Sequence, residues 1–283
     1  MKKKLGITSD CTCDMSEELL EQYDVEVIYF YINTDHGSFK DMQEITASNV
    51  VEYFANGGKQ ISTVAPAVYE YADFFEKMLH KYEQIIHITI CATLSKSYEN
   101  ALAASQRFDG RVKVFNTNHL STGIAHFVIR ATEMVREGKT SDDILANLEN
   151  MINKVSTSFI AENADYLYRT GRVNKFVRFA CSTFNIHPVL FVKNGKIKLK
   201  TVQIGDYDRS VLRYVRKELY RPGKIDKKRV FITYCTCPIR VLNKIKKQVR
   251  EICPFDEVLE ATASATITSN CGANTVGVLF VRK

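Results

Sequence analysis

No apolar stretch in this chain approaches the roughly 20 residues that a membrane-spanning helix needs. Met1-Lys2-Lys3-Lys4 is basic, but the run after it soon meets Asp10, so a signal-peptide apolar region is missing. A soluble cytoplasmic protein with no membrane span is therefore the expectation. There are eight cysteines but no C-x-x-C pair, which removes the zinc-ribbon and thioredoxin-type motifs. The six histidines are scattered and form no H-x-x-x-H pair. No G-x-G-x-x-G segment marks a dinucleotide site, and no P-loop, acidic metal cluster or G-x-S-x-G elbow is visible. The sequence calls for no metal and no cofactor. Repeats and low-complexity linkers are also absent.

What is present is a globular composition. The 283 residues are 45% hydrophobic, enough for one large or two ordinary domains and against disorder. Cys11-Thr-Cys13 and Cys235-Thr-Cys237 are C-x-C pairs. In an extended segment such pairs share a face and bind metal or oxidise; the other reading is a reduced, partly buried role. The net charge is +7 and uneven: between Lys193 and Arg250 there are 18 Lys or Arg against four acids. That region fits a protein partner or a solvated face. Nucleic acid ranks below both, because no aromatic stacking pattern accompanies the charge.

The first half alternates short apolar runs with amphipathic segments. Strands are expected at Lys4–Thr8, Val25–Ile32, Ile85–Cys91 and Val112–Phe115. Helices are expected near Ser16–Tyr23, Ala47–Asn56, Val68–Tyr82 and after Ser97. Ile124, Phe127, Val128, Ala131, Met134 and Val135 share one helical face, ended by Gly138, and Thr140 or Ser141 caps another helix. Alternation of this kind implies parallel strands with right-handed crossovers. The second half reads differently. Asn194-Gly195 is a hairpin turn between His187–Val192 and Lys196–Gln203. Asp208–Tyr220 and Pro238–Cys253 are basic helices, and strands fall at Val230–Tyr234, Glu257–Thr262 and Val276–Arg282. The expected architecture is a two-domain α/β fold: an N-terminal parallel sheet flanked by helices (residues 1–155) and a C-terminal α+β domain (156–283), packed firmly together.

The sharpest local signal is the Ile85–Cys91 run followed by Thr93, Ser95 and Ser97. Hydroxyls where a strand feeds a helix N-terminus suit an anion, because unpaired N–H groups and the helix dipole point the same way. The plainer reading is that Ser95 or Ser97 simply caps the helix. Thr8-Ser9-Asp10 and Asn116-Thr117 are small polar residues at two further strand ends. Ligands bind outside the carboxyl ends of such strands.

Several segments together resemble the DegV family. Thr8-Ser9-Asp10 through Asp14 is similar to its T-D-S-x-x-D opening, and Thr63 matches the threonine of its T-S-Q-P loop. Leu94-Ser95-Lys96-Ser97-Tyr98 resembles L-S-G-T-Y. Asn116-Thr117 through Gly123 resembles D-T-x-x-x-S-x-G, and Tyr166 through Val173 resembles Y-L-x-x-G-G-R-I. His187-Pro188-Val189-Leu190, with Gly195 and Ile197, resembles the K-P-I-L hairpin. The resemblance runs over essentially the whole chain. It implies two α/β domains with a long-chain fatty acid in an apolar tunnel between them and a fatty acid kinase as partner. Thr63 and Ser95 would hold the carboxylate, with Thr93, Ser97, Arg172, Asn270 and Cys271 nearby. Arg172 and Arg209 would face the kinase, Arg209 beside Arg213, Arg216 and Lys217; as plain residues, Arg172 fits a surface or domain-bridging salt bridge and the Arg209 group a solvated basic helix.

Departures from the family pattern accompany the match. Asn270 stands where the family's H-x-G-P-G has histidine; it donates a hydrogen bond but carries no proton or charge near neutral pH. Lys96 replaces a glycine, and Val64 and Ala65 replace Ser-Gln. The leading expectation is a non-catalytic carrier that presents a fatty-acid carboxylate to a kinase. A lipid carrier without kinase coupling is the nearest alternative. A hydrolase or transferase using Ser95 would need His87, His119 or His126 as its base. A nucleic-acid or regulatory module would use the 193–250 region.

Overall fold

A computed structural model describes residues 2–169 and 175–283. Strand β1 (Lys3–Asp10) is exposed at its two leading lysines and buried over its last five residues. The chain turns back through α1 (Glu17–Tyr23), capped by the Ser16 hydroxyl accepting from the Leu19 amide, into β2 (Val25–Ile28), parallel to β1. The expected single strand Val25–Ile32 divides here. The parallel ladder stops at Ile28, and the Phe30 amide turns to the Cys11 sulfur at 3.3 Å while its carbonyl accepts from Asp41. Residues beyond enter a separate antiparallel sheet of β3 (Tyr31–Thr34), β4 (Gly37–Lys40) and β5 (Ser62–Val64), with β3 in the middle. Helix α2 (Ala47–Ala55) lies between β4 and β5 in sequence and starts with a Thr46–Asn49 capping box.

The chain then returns to the parallel sheet. Helix α3 (Val68–Lys81), strand β6 (Tyr82–Thr89), helix α4 (Ser97–Ser105) and strand β7 (Val112–Asn116) follow in turn. The strand order is β2-β1-β6-β7, all parallel. Helix α5 (Thr122–Arg136) and helix α6 (Ser141–Met151, capped by Thr140 and Asp143) complete the first half.

At Val155 the chain enters the second large sheet, first through β8 (Val155–Ser156) and β9 (Ser158–Ile160). Helices α7 (Asp165–Arg169) and α8 (Lys175–Thr183) precede the hairpin β10 (Ile186–Lys193) and β11 (Lys196–Ile204). Helix α9 (Tyr207–Glu218), strand β12 (Ile225–Tyr234), helix α10 (Ile239–Ile252) and strand β13 (Glu257–Thr262) come next. A helix not anticipated from sequence, α11 (Ala265–Cys271), precedes the final strand β14 (Val276–Arg282). Among the described residues the order is β11-β10-β9-β14-β12-β13, with β8 also on β14. Only β12 and β13 run parallel within it, so the mixed α+β character expected of this half is present.

Helix α5 joins the halves. The expected apolar stripe is buried except for half-buried Val135, and so are Gly123, Ala125, His126 and Ile129 around the other side. A helix apolar over most of its circumference is covered on more than one side, and α5 packs on β1 and β6 with one face and on β8 and β14 with another, leaving Arg130, Glu133 and Arg136 on the uncovered strip. At Gly123 a Cβ would sit 2.3 Å from the Thr157 hydroxyl oxygen, so only glycine permits this approach. One continuous apolar cluster includes Ile7 and Ile88 of the first half with Phe159, Phe231 and Leu279 of the second. Polar contacts cross the same seam. The Thr122 and Thr233 hydroxyls are 2.6 Å apart, and Arg229 reaches Glu133 and the Tyr23 hydroxyl.

Two buried histidines stand at this seam. His126 Nε2 donates to the Leu279 carbonyl at 3.1 Å; His119 Nε2 donates to the Ile152 carbonyl and its Nδ1 accepts from Thr157. Burial holds both at about 4, well below the ordinary imidazole value. The unfolded chain therefore binds more protons than the native one between about pH 4 and 6.5. Stability from each neutral ring is present above pH 6.5 and is lost as pH falls toward 4, by about 3 kcal/mol per ring. Replacing His126 by Gln retains a donor for Leu279 and removes one titration. Urea-unfolding midpoints measured from pH 7 to 4.5 should fall less steeply in His126→Gln, by about one proton; an unchanged slope would show that His126 is not a neutral ring in the native state.

Candidate functional site

A cavity of about 550 Å³ lies where β5, the start of α4, α11 and the β10–β11 hairpin meet. Its apolar walls include Phe30, Ile90, Leu120, Ile197 and Ile267, and Thr63, Ser95 and Asn270 supply polar groups. The volume falls in the range of small-molecule pockets. A narrower void shares Leu120, Ile267 and Cys271 with it and runs on toward Phe159, Cys235 and Leu279. That extension measures about 20 Å³, room for about one water.

Two devices close the cavity. The first is α11, which comes from the second half of the chain yet packs on α2, β3 and β5 of the first. Its leading amides are taken by buried carboxylates: Asp14 accepts from Ser264 at 2.9 Å, and Asp41 accepts from Ala265 and Thr266 at 2.8 Å. Anionic groups belong at a helix start, where amides lack partners. Burial nevertheless pushes Asp14 up to about 7, against the lowering effect of the Ser121 hydroxyl and the Ser264 amide, and raises Asp41 as well.

The second device is the hairpin tip. Asn194 and Gly195 have φ of 51° and 70°, the left-handed pair of a tight hairpin turn. The Gly195 carbonyl accepts from the Thr93 hydroxyl and from the Cys91 thiol, which places Ile197 in the cavity wall.

The strand-end hydroxyls do not act as one group. Asp10, fully buried at the end of β1, accepts from Ser97 Oγ at 2.5 Å, Tyr71 Oη at 2.7 Å and the Ile90 amide at 2.9 Å. His87 Nε2 stands 3.3 Å from the same carboxylate. Ser97 is therefore turned inward and does not line the cavity. Thr93 is committed to the hairpin and also lies outside it. Asn116 Oδ1 accepts from the Ala92 and Asn118 amides, and the Thr117 hydroxyl donates to the Thr89 carbonyl.

Ser95 and Thr63 do line the cavity. Ser95 Oγ accepts from the Ser97 amide at 3.2 Å, so it caps the first turn of α4, and neither it nor Thr63 uses its hydroxyl proton on another described residue. The capping and ligand readings of Ser95 are thus compatible. Asn270 and Cys271 line the cavity from α11; Asn270 Nδ2 donates to the Thr266 carbonyl at 2.8 Å. Lys96 stands at the mouth with its ammonium on Glu99 at 2.7 Å, both largely in solvent. Arg172 lies outside the described residues. Arg209 is exposed at the start of α9 and does not line the cavity.

Sequence reasoning missed Asp41, Leu120 and Ile267. The Ser264 cap, whose hydroxyl accepts from the Ile267 amide, was the local signal for α11. Nothing local announced that Asp41 would meet that helix from more than 220 residues away. The two C-x-C pairs are not paired thiols: Cys11, Cys13 and Cys235 are buried free cysteines, Cys237 is half-buried, and burial pushes Cys13 up to about 12. Among the described residues, no group of three or more His, Cys, Asp or Glu could hold a metal ion.

An α/β protein with two large sheets, a small third one and a cavity of small-molecule size walled by a helix and a hairpin is the class these features define. The chain belongs to the DegV family: the family model, described as "Uncharacterised protein, DegV family", matches residues 4–283. It is similar to a DegV domain-containing protein of Caldanaerobacter subterraneus subsp. tengcongensis, at 24% identity over 282 residues, covering 99% of this chain and 100% of that one. Among solved structures, a DegV family protein of Thermus thermophilus, described by its fatty acid binding, superposes with a TM-score of 0.87 at 24% identity, over 99% of this chain and 100% of that one. A DegV family protein of Eubacterium eligens loaded with heptadecanoic acid gives 0.85 at 18% identity, over the same shares. These likenesses show the fold.

Two substitutions separate the supports from the cavity. Ser97→Ala removes a hydrogen bond to a buried carboxylate and should cost about 1.5–3 kcal/mol. Gly195→Ala forces a left-handed φ on a residue whose Cβ would stand 2.8 Å from the Cys91 sulfur, and should cost about 1–3 kcal/mol. Thermal unfolding measures both; unaltered melting temperatures would show that neither contact holds the fold.

Proposed function

We propose that this protein is a non-catalytic carrier that binds a long-chain fatty acid in the 550 Å³ cavity and presents the carboxylate to a fatty acid kinase. The observation that carries the reading is the pairing of an apolar hollow with two hydroxyls, Ser95 and Thr63, whose protons have no other described acceptor. A carboxylate needs donors, and the N-terminus of α4 adds to them. An acyl tail needs dry volume, and each buried methylene is worth about 0.8 kcal/mol before binding costs. The solved DegV structures of Thermus thermophilus and Eubacterium eligens, described with fatty acid binding and with heptadecanoic acid, support the same assignment.

Kinase coupling rests on the resemblance and on the exposed basic helix α9, where Arg209, Arg216 and Lys217 face solvent. The kinase would supply ATP and metal. Asn270 in the histidine position has no group that titrates near neutral pH, so here hydrogen bonding, not acid–base chemistry, is the contribution of α11. An acyl-enzyme route through Ser95 lacks a base: His87, His119 and His126 are buried, hydrogen-bonded elsewhere, and absent from the cavity lining. Nucleic acid is disfavoured because no aromatic stacking pattern accompanies the 193–250 charge, and some of its cations are paired, with Lys200 on Glu218, Arg229 on Glu257 and Lys246 on Glu260.

Native mass spectrometry and lipid extraction of the purified protein should recover about one free fatty acid per chain. Ser95→Ala and Thr63→Val should each weaken rebinding by roughly tenfold or more; the melting temperature of the empty protein should hold in Thr63→Val and fall slightly in Ser95→Ala, which also loses its bond to the Ser97 amide. Wild-type affinity in both variants would remove the carboxylate assignment, and absence of any lipid would remove the carrier. With a fatty acid kinase and ATP, Arg209→Glu should abolish acyl-phosphate formation while leaving lipid affinity intact.

A further inference from the structure

The hairpin turn that helps close the first cavity also borders another. A polar hollow of about 300 Å³ is lined by Lys193 and Asn194 of the turn, by Asn118, Asn153 and Ser156, and by Lys200 and Arg282. Three cationic side chains line it, and no Asp or Glu does. Lys200 is neutralised, its ammonium held by both oxygens of Glu218 at 2.7 and 2.8 Å. Lys193 and Arg282 have no carboxylate partner among the described residues. Arg282 is nonetheless held in place: its guanidinium lies 5.0 Å over the Phe280 ring and points a nitrogen at Ser156 Oγ, 3.4 Å away.

Two cations without carboxylate partners in the lining of one polar hollow favour an anion there. The neutral groups suit an oxyanion with several acceptor atoms. Ser156 and the side-chain amides of Asn118 and Asn153 offer donors, and an arginine held against a ring is pre-organised for a planar two-point contact. His119 in the same wall is not available as a charge, because both of its ring nitrogens are hydrogen-bonded to Thr157 and Ile152.

We propose that this hollow is a second ligand site, for a small phosphate-bearing anion held between Lys193 and Arg282. The volume exceeds what inorganic phosphate fills, so the natural occupant is a small phosphomonoester. The site does not depend on what occupies the first cavity.

Isothermal titration of the intact protein with inorganic phosphate, in a chloride background of matched ionic strength, tests the site. Saturable binding of one phosphate per chain is expected, with acetate at least tenfold weaker. Lys193→Gln and Arg282→Gln should each weaken phosphate by roughly tenfold. Lys244→Gln, the same charge change on an exposed residue of α10, should leave it unchanged. Lys193 is exposed, so its variant reports even where Arg282→Gln perturbs folding. Absence of saturation, equal affinity for acetate, or equal loss in Lys244→Gln would each overturn the proposal.

Discussion

Two buried carboxylates seat one short helix, and the candidate site depends on that contact. Asp14 and Asp41, from opposite ends of the first strand-and-loop region, take the three leading amides of α11. Hydrogen bonds from neutral donors to an ionised acceptor are among the stronger ones in proteins, but an unpaired carboxylate at this depth would be costly. The contact is therefore all or nothing. With α11 in place, Ile267, Asn270 and Cys271 complete the wall of the cavity. The elevated Asp14 pKa records the same tension, since burial opposes a charge that the local amides and the Ser121 hydroxyl favour.

A similar economy of polar groups governs the carboxyl ends of the parallel strands. Position alone marks this edge as the place for a ligand, and hydroxyls are abundant there. Most of them satisfy one another. Asp10 draws in Ser97, Tyr71 and the Ile90 amide, and Thr93 is spent on the hairpin. This network fixes the start of α4 by hydrogen bonds and leaves Ser95 and Thr63, with Thr266 of α11, as the hydroxyls that line the hollow. A rigid support with few free donors is what orients a ligand, because each remaining donor is already placed before the ligand arrives.

Much of the fold was legible because hydrophobic period and caps act locally. The alternation of β1, α1, β2, α3, β6, α4 and β7 follows from apolar spacing, and the Asn194-Gly195 turn from the backbone freedom it requires. Val25–Ile32 reads as one strand because Glu26 is its one charged residue; it breaks because the Phe30 carbonyl accepts from the Asp41 amide, on a segment that has no strand pattern of its own. Helix α11 was missed because it is short and its stability comes from Asp14 and Asp41, not from propensity. In the site, Ser95 comes from its strand-to-helix junction and Thr63, Asn270 and Cys271 from motif resemblance; all four line one cavity, whereas Ser97 and Thr93 belong to the supports.

The sequence by itself determined the class of fold, the strand-to-helix junction at Ser95 and the uneven positive charge, since each is written in residue type and spacing over a few turns. The tertiary structure decided which hydroxyls remain free, which carboxylates are buried and which cations go unpaired. Those properties depend on neighbours up to about 250 residues apart, and a side chain's chemistry is set by what it touches once the chain has closed around it.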